Sequence, residues 1–399
     1  MTFPYAPYTA EVLQWQLGQK TPMPAPAEDD ARARRTADRV VRTVMRAGHR
    51  HVLVLGLGDG TLARLLARAL PATCMLLILE TQPALARQVL SRWPDLQPML
   101  MVDSSPWALL MLCQAVGISR EHCLICRPSG ADMQTPCLPV GLEQWRRLFL
   151  GARLRQVATG APKGVPSLSV ACIAHPEENM LTEFFAHIPP WVAELVVVWD
   201  GAAPARVPPC SVPLRQKIRP LAGNFSAQRN AMLDLCQGDW CLYLDVDETL
   251  KAETWAAIPA WMSVHVEEES TRPHVGAIML PRLTFMQDMR HARMGYGLWP
   301  DVQVRLFPLR AGLRFHGAVH ERLTGVQGCH ALAGGHALLH YSHVRKDKAS
   351  LSARLQVFDR AGHARHILST AYPVLPVDYF QDLGQAFGAN SLLCLPDLI

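Results

Sequence analysis

Charge is scarce in this chain. Asp, Glu, Lys and Arg make up 18% of its 399 residues, and the net charge is only +5. The arginines between Arg32 and Arg50 follow a helical pattern without interleaved aromatics. That reads as a solvated face and argues against a nucleic-acid partner. No uncharged run is long enough to cross a bilayer, since the longest, Ser104 to Ser119, falls short of the ~20 residues a spanning helix needs. Met1 to Ala10 carries Pro and Tyr where a signal peptide would carry an apolar core. The cysteines form no framework either: there are eleven, an odd number, and Cys172, Cys236 and Cys241 sit in apolar segments. This is the pattern of reduced thiols in a cytosolic core, so the expected location is cytoplasmic. Cys123 and Cys126 form a CxxC flanked by Cys113 and Cys137. Leu124 and Ile125 between them favour a buried strand over a zinc site. What the chain does hold is 49% apolar residues, enough for two cores.

Residues 1–150 read as one domain. After a polar lead-in, Asp29 to Ala47 is helical. The run from His51 to Leu66 then reads as strand, glycine turn and helix. Gly56, Gly58 and Gly60 let the backbone turn tightly and approach a ligand. The following helix offers its N–H groups and positive end. A second strand, Cys74 to Leu79, ends in Glu80, where a doubly wound domain places an acid for a ribose. Asp103 follows a third strand, Met99 to Val102, and could flank a base. This series resembles the nucleotide-binding half of S-adenosylmethionine methyltransferases. It equally resembles the Rossmann-like domain attached to some bacterial motility-associated glycosyltransferases. The resemblance implies S-adenosylmethionine or another nucleotide at Gly56, Gly58, Gly60 and Glu80. No methyltransferase catalytic motif follows the later strand, His122 to Cys126.

Gly, Pro, Ala and basic residues mark a linker over 151–166. The expected second domain covers 167–370, and 371–399 reads as a tail without a motif. The second domain is organised around Gly238-Asp-Trp-Cys-Leu-Tyr-Leu-Asp-Val-Asp-Glu-Thr-Leu250. Trp240 to Leu244 reads as a buried strand. Side chains alternate along a strand, so Asp245 and Asp247 are expected on one side, where a divalent cation would relieve their repulsion. Before it lie a strand opening at Ser167, a loop with Glu177 and Glu178, a strand from Glu194 to Trp199, and Asp200-Gly201. Asn224 or Ser226 caps the helix that carries Arg229 and Asn230.

This ordered series resembles family 2 glycosyltransferases of the GT-A fold: a Glu-Glu-Asn loop, Asp-Gly, Asn-x-x-x-x-Arg-Asn, Gly-Asp-Trp and Asp-x-Asp-Glu. The match continues through Val304-Arg-Leu-Phe-Pro308, Gly317-Ala-Val-His-Glu321 and His340-Tyr341, covering roughly residues 167–355. It implies a two-domain α/β protein, Rossmann-like then GT-A, that binds a nucleotide-sugar donor with Mg2+ or Mn2+. Asp200 would contact the base or ribose, and Arg229 and Asn230 would line the donor pocket. Asp245 would touch ribose and metal, and Asp247 would be the main metal ligand. His340 or His320 would complete the metal or phosphate shell, and Glu321 would be the general base. The acceptor would be a glycan, a lipid-linked sugar or a protein. The chain departs from the family at His175-Pro176-Glu177, where relatives commonly carry Lys-Asn-Glu, and at Trp199. A basic amphipathic helix is expected from Lys346 to about Ile367, packed on the domain edge or touching an anionic membrane surface. Two other readings compete: a methyltransferase with a sugar-binding C-terminal half, and a non-catalytic relative.

Overall fold

A computed structural model of the protein describes residues 4–15, 27–128, 138–157, 164–264, 274–318, 321–346 and 371–395. The chain divides into two compact units. The first comprises Met1–Ala152, Arg293–Asp301 and Tyr372–Phe387, and the second comprises Arg153–Ala292, Val302–Ala371 and Gly388–Ile399. The units are interleaved in sequence, in place of the contiguous segments expected from it.

The first unit alternates strand and helix, which forces parallel pairing through crossover connections. Four of its described strands form one sheet in the order Leu100–Val102, Met75–Glu80, His51–Leu55, Cys123–Cys126, all parallel. The order therefore reverses between the first and last strands in sequence. The helix Asp30–Ala47 starts where Asp29 accepts from the Arg32 N–H at 3.0 Å and stops at Gly48. Cys123 and Cys126 lie on a strand, and no metal cluster forms among the described residues.

The second unit is built on a nine-stranded sheet. Its order is Arg153–Gln156, Ser391–Cys394, Cys329–Leu332, Val275–Leu280, Gln303–Pro308, Trp240–Tyr243, Leu168–Ala174, Glu194–Trp199, Leu214–Ile218. The last four are mutually parallel, and here too the order reverses, between Leu168–Ala174 and Trp240–Tyr243. Alternation divides the parallel strands between two cores. Val170, Cys172, Leu195, Val197 and Trp199 face one, with Phe184 and Phe185. Ala171, Val196, Val198 and Tyr243 face the other, with Met232, Phe307 and Phe315. The expected linker and tail both contribute strands: Ser391–Cys394 pairs with Arg153–Gln156 and with Cys329–Leu332. A smaller sheet joins Glu248–Leu250, Leu338–His340 and Arg282–Thr284. The expected basic helix, Lys346 to about Ile367, lies outside the described residues except for Lys346 itself. No described helix is long and apolar enough to cross a membrane.

Candidate active site

In open α/β sheets, ligands bind beyond the carboxyl ends of the strands where strand order reverses. In the second unit that place lies between the loops following Leu168–Ala174 and Trp240–Tyr243. The first loop carries Glu178 and the second carries Asp245, Asp247 and Glu248. The strand stops at Tyr243, and residues 245–248 form a turn. The Glu248 N–H donates to Asp245 O at 2.9 Å, and the Asp245 N–H donates to Glu248 Oε2 at 3.0 Å. Strand alternation therefore does not extend to the carboxylates, and Asp245 and Asp247 serve different partners.

Asp245 faces arginines. Arg229 comes from the helix Phe225–Leu233, whose cap Asn224 accepts from the Ala227 N–H at 2.9 Å. Its Nη2 lies 3.5 Å from Asp245 Oδ1, and its Nε donates to Glu321 Oε1. Arg305 is buried, with Nη2 at 2.6 Å from Glu248 Oε1 and 3.3 Å from Asp245 Oδ2. Both guanidiniums stand over the Tyr243 ring, at 4.4 Å and 4.3 Å from its centroid, where the ring face attracts cations. Burial pushes the Glu248 carboxyl up to about 7, against the pull of Arg305. Among the described residues, Arg229 Nη1 and Arg305 Nε and Nη1 are buried without a hydrogen-bond partner.

Asp247 faces the opposite set. Its Oδ2 accepts from Ser342 Oγ at 2.5 Å and from Lys346 Nζ at 2.8 Å. His340 Nε2 is 3.7 Å from Oδ1 and 2.8 Å from Ser342 Oγ, while Nδ1 lies 3.0 Å from Thr284 Oγ1. Pairing of His340 with Glu248 across the small sheet brings the histidine there. Among the described residues no three His, Cys, Asp or Glu side chains group as metal ligands. The expected set of Asp245, Asp247 and His340 is thus not gathered round one point. The carboxylates are already matched by Arg229, Arg305 and Lys346, and this donor set does not fit a divalent ion.

Of the other expected residues, Asp200 accepts from the Leu221 N–H at 2.7 Å and so ties two loops together. Asn230 exchanges two hydrogen bonds with the Phe315 backbone, at 2.8 and 2.9 Å, clamping helix to strand. Trp199 is fully buried, its Nε1–H donating to Gln216 Oε1 at 3.0 Å. His320 lies outside the described residues. The structure thus brings Arg229, Asp245 and Glu321 together, and separately Asp247 and His340. Sequence reasoning missed Arg305's contact with Asp245 and Glu248, as well as Ser342 and Lys346. Arg305 stood in a quoted motif; Ser342 and Lys346 carry no local signal.

In the first unit, the glycine turn forms as expected, with Gly56, Gly58 and Gly60 all at positive φ. Its surroundings do not fit S-adenosylmethionine. Glu80 is buried and accepts from the Leu57 and Gln82 N–H groups at 2.9 and 2.8 Å, so both its oxygens serve the backbone. Glu28 lies against the turn, its Oε2 accepting from the Leu62 N–H at 3.2 Å. A Cβ at Gly58 would meet Glu28 Oε1 at 2.5 Å and Pro128 Cβ at 3.0 Å. The chain's own carboxyl thus fills the cradle read as a ligand's. Burial and the neighbouring Asp59 push that carboxyl up to about 8. Asp103 is also buried, accepting from Tyr8 Oη at 2.6 Å and from the Ser105 N–H at 2.6 Å.

No family model matches the chain. A TPR repeat-containing protein of Synechococcus elongatus is 28% identical over 182 residues, 44% of this chain and 37% of that protein. The match thus spans little more than a third of that relative's length. Among solved structures, S. aureus TarS aligns at 15% identity over 36% of this chain and 28% of its own, with a TM-score of 0.24. The mannosyltransferase PcManGT from Pyrobaculum calidifontis, in complex with GDP-Man and Mn2+, aligns at 15% identity. That match covers 59% of this chain and 74% of that one, with a TM-score of 0.30. Likeness at this level carries no functional weight, and the site is read from its own groups: a strand-end crevice lined by ion-paired carboxylates, with buried guanidinium donors left over.

Proposed function

We propose that the second unit is a nucleotide-sugar glycosyltransferase of the family 2 type on a GT-A fold. It would move a sugar to an acceptor hydroxyl with inversion. The observation that carries the reading is the pair of buried guanidiniums with unpaired donors, Arg229 and Arg305. An unsatisfied buried donor costs about 1–3 kcal/mol, and more when charged. Phosphate oxygens are the acceptors whose spacing the guanidinium fork matches. Negative charge grows on the nucleoside diphosphate as its bond to the sugar breaks, and Arg229 stabilises it there. Glu321, beside Arg229, takes the proton of the acceptor hydroxyl attacking from the opposite face. Asp245 keeps the two guanidiniums in place and offers an oxygen to the ribose, with Asp200 beside the base. The acceptor class is a glycan, a lipid-linked sugar or a protein hydroxyl. A divalent ion is not part of the proposal, because the carboxylates already have cationic partners.

A thermal-shift screen of UDP- and GDP-sugars tests the reading. A ligand at 100 times its Kd stabilises the native state by about 2.7 kcal/mol, so a donor raises the melting temperature. No shift with any nucleotide-sugar, and no hydrolysis of any, would sink it. Within it, Glu321→Gln is expected to lower kcat by about 10²–10⁴-fold with donor affinity retained. A near-normal kcat would move the base elsewhere.

A further inference from the structure

The crevice also holds a cation on its other side. Lys346 follows the short helix Ser342–Arg345. Its Nζ is 2.8 Å from Asp247 Oδ2 and 3.1 Å from Glu178 Oε2. These two acids belong to the two loops between which strand order reverses, so one ammonium spans the crevice. The lysine side chain is 10% exposed. Its segment is pinned by separate bonds. Asn179 Nδ2–H donates to Arg345 O at 3.1 Å, Arg345 pairs with Glu183 at 2.8 Å, and the Lys346 N–H donates to Ser342 O at 3.1 Å. Ser342 Oγ fills the space between Asp247 and His340. A divalent ion at these carboxylates would lie beside a fixed positive charge, and like charges a few ångströms apart repel strongly in a partly buried site.

We propose that Lys346 is the resident cation of this crevice. Its ammonium supplies the positive charge that a divalent ion would otherwise bring, so the site takes a nucleoside diphosphate without metal. A lysine does this as a point charge, the way phosphate-binding loops use one. The identity of the anion rests on the glycosyltransferase reading; the exclusion of a metal from these carboxylates does not. The geometry also assigns Ser342 a supporting part, since its hydroxyl holds Asp247 toward the ammonium.

Two titrations test this on the full chain. In the first, Mn2+ alone is followed by its electron paramagnetic resonance signal. The wild type is expected to bind none stoichiometrically and Lys346→Arg none either. Lys346→Met, which takes that ammonium away from Asp247 and Glu178, is expected to bind Mn2+ at least ~10-fold more tightly than the wild type. One tightly bound Mn2+ in the wild type overturns the proposal, whether or not any nucleotide binds. In the second, UDP and GDP are titrated calorimetrically in EDTA and in Mn2+. Wild-type affinity is expected to agree within about 3-fold between the two, well under 1 kcal/mol. Lys346→Met is expected to lose at least ~10-fold in EDTA, the scale of one charge-assisted contact, and to regain it in Mn2+. Binding that EDTA abolishes in the wild type overturns the proposal. If neither nucleotide binds under either condition, the glycosyltransferase reading fails, while the Mn2+ titration still decides for or against Lys346. Should Lys346→Met not fold, the Mn2+ titrations of the wild type and Lys346→Arg still uphold or overturn the proposal.

Discussion

Glu248 has no exposed side-chain surface, and it is held by Arg305 at 2.6 Å and Arg282 at 3.4 Å. A buried ion pair adds little net stability, but breaking one strands a charge and costs about 3–5 kcal/mol. Arg305→Met is therefore expected to destabilise the protein by about that amount near pH 8. The sign of its pH dependence follows from burial, which raises the Glu248 carboxyl to about 7. A raised acid holds its proton more firmly in the folded state, so its contribution is present at low pH and lost as pH rises through 7. Without Arg305 the charged form is worse placed still. The loss should shrink at pH 5, and adding Glu248→Gln should recover part of it at pH 8. Urea denaturation of the three proteins at both pH values checks this. Equal losses at pH 5 and pH 8 would contradict it.

Turns decide more here than strands do. Gly58 has φ +56 and Glu28 pressed against it, so Gly58→Ala carries about 1–2 kcal/mol of left-handed strain and displaces the carboxyl as well. The melting temperature should fall, and Glu28→Ala in the same chain should return part of it by making room. An unchanged loss in the double variant would mean that the carboxyl does not fill the turn. Glu28 also titrates: with its carboxyl at about 8, it stabilises below the usual carboxylate range and loses that contribution as pH rises through 8. Glu28→Gln should thus be near neutral at pH 5 and stabilising at pH 9, read from melts at the two values. The glycine turn itself was legible because positive φ at three alternate positions demands glycine. The helix from Asp30 was legible because Asp29 is a good cap. What fills the turn was not legible, because Glu28 reaches it across 34 residues to Leu62. The Asp245–Asp247 pair misled for a related reason. Apolar residues run on to Leu244, so nothing local shows the strand stopping at Tyr243. Glu321 was picked out by its motif, yet its partner Arg229 lies 92 residues away. Ser342 and Lys346 acquire their roles only through Asp247, 95 and 99 residues off.

Across the whole molecule, both units are assembled from separated stretches of chain. Neither can be cut out as one continuous fragment, so a chain ending at residue 387 is expected to lose the sheet of the second unit as well as a strand. Removing Ser391–Cys394 leaves Arg153–Gln156 unpaired and turns Cys329–Leu332 into an apolar edge, a template for aggregation. Light scattering and melting temperature of that truncation against the full chain check the expectation. A stable, monomeric truncation would show the strand to be dispensable. The same pairing sets a timetable. Ser391 and its partner Gln156 are 235 residues apart in sequence. At about 5–20 residues per second, the ribosome needs roughly 10–50 s between making one strand and making the other. Ala331 and Leu332, which the finished sheet hides completely, are made only about 60 residues before Ser391, so the nascent chain displays them for roughly 3–12 s of that interval. The exposure of this protein to misassembly is therefore set by translation speed, and slower synthesis prolongs the interval.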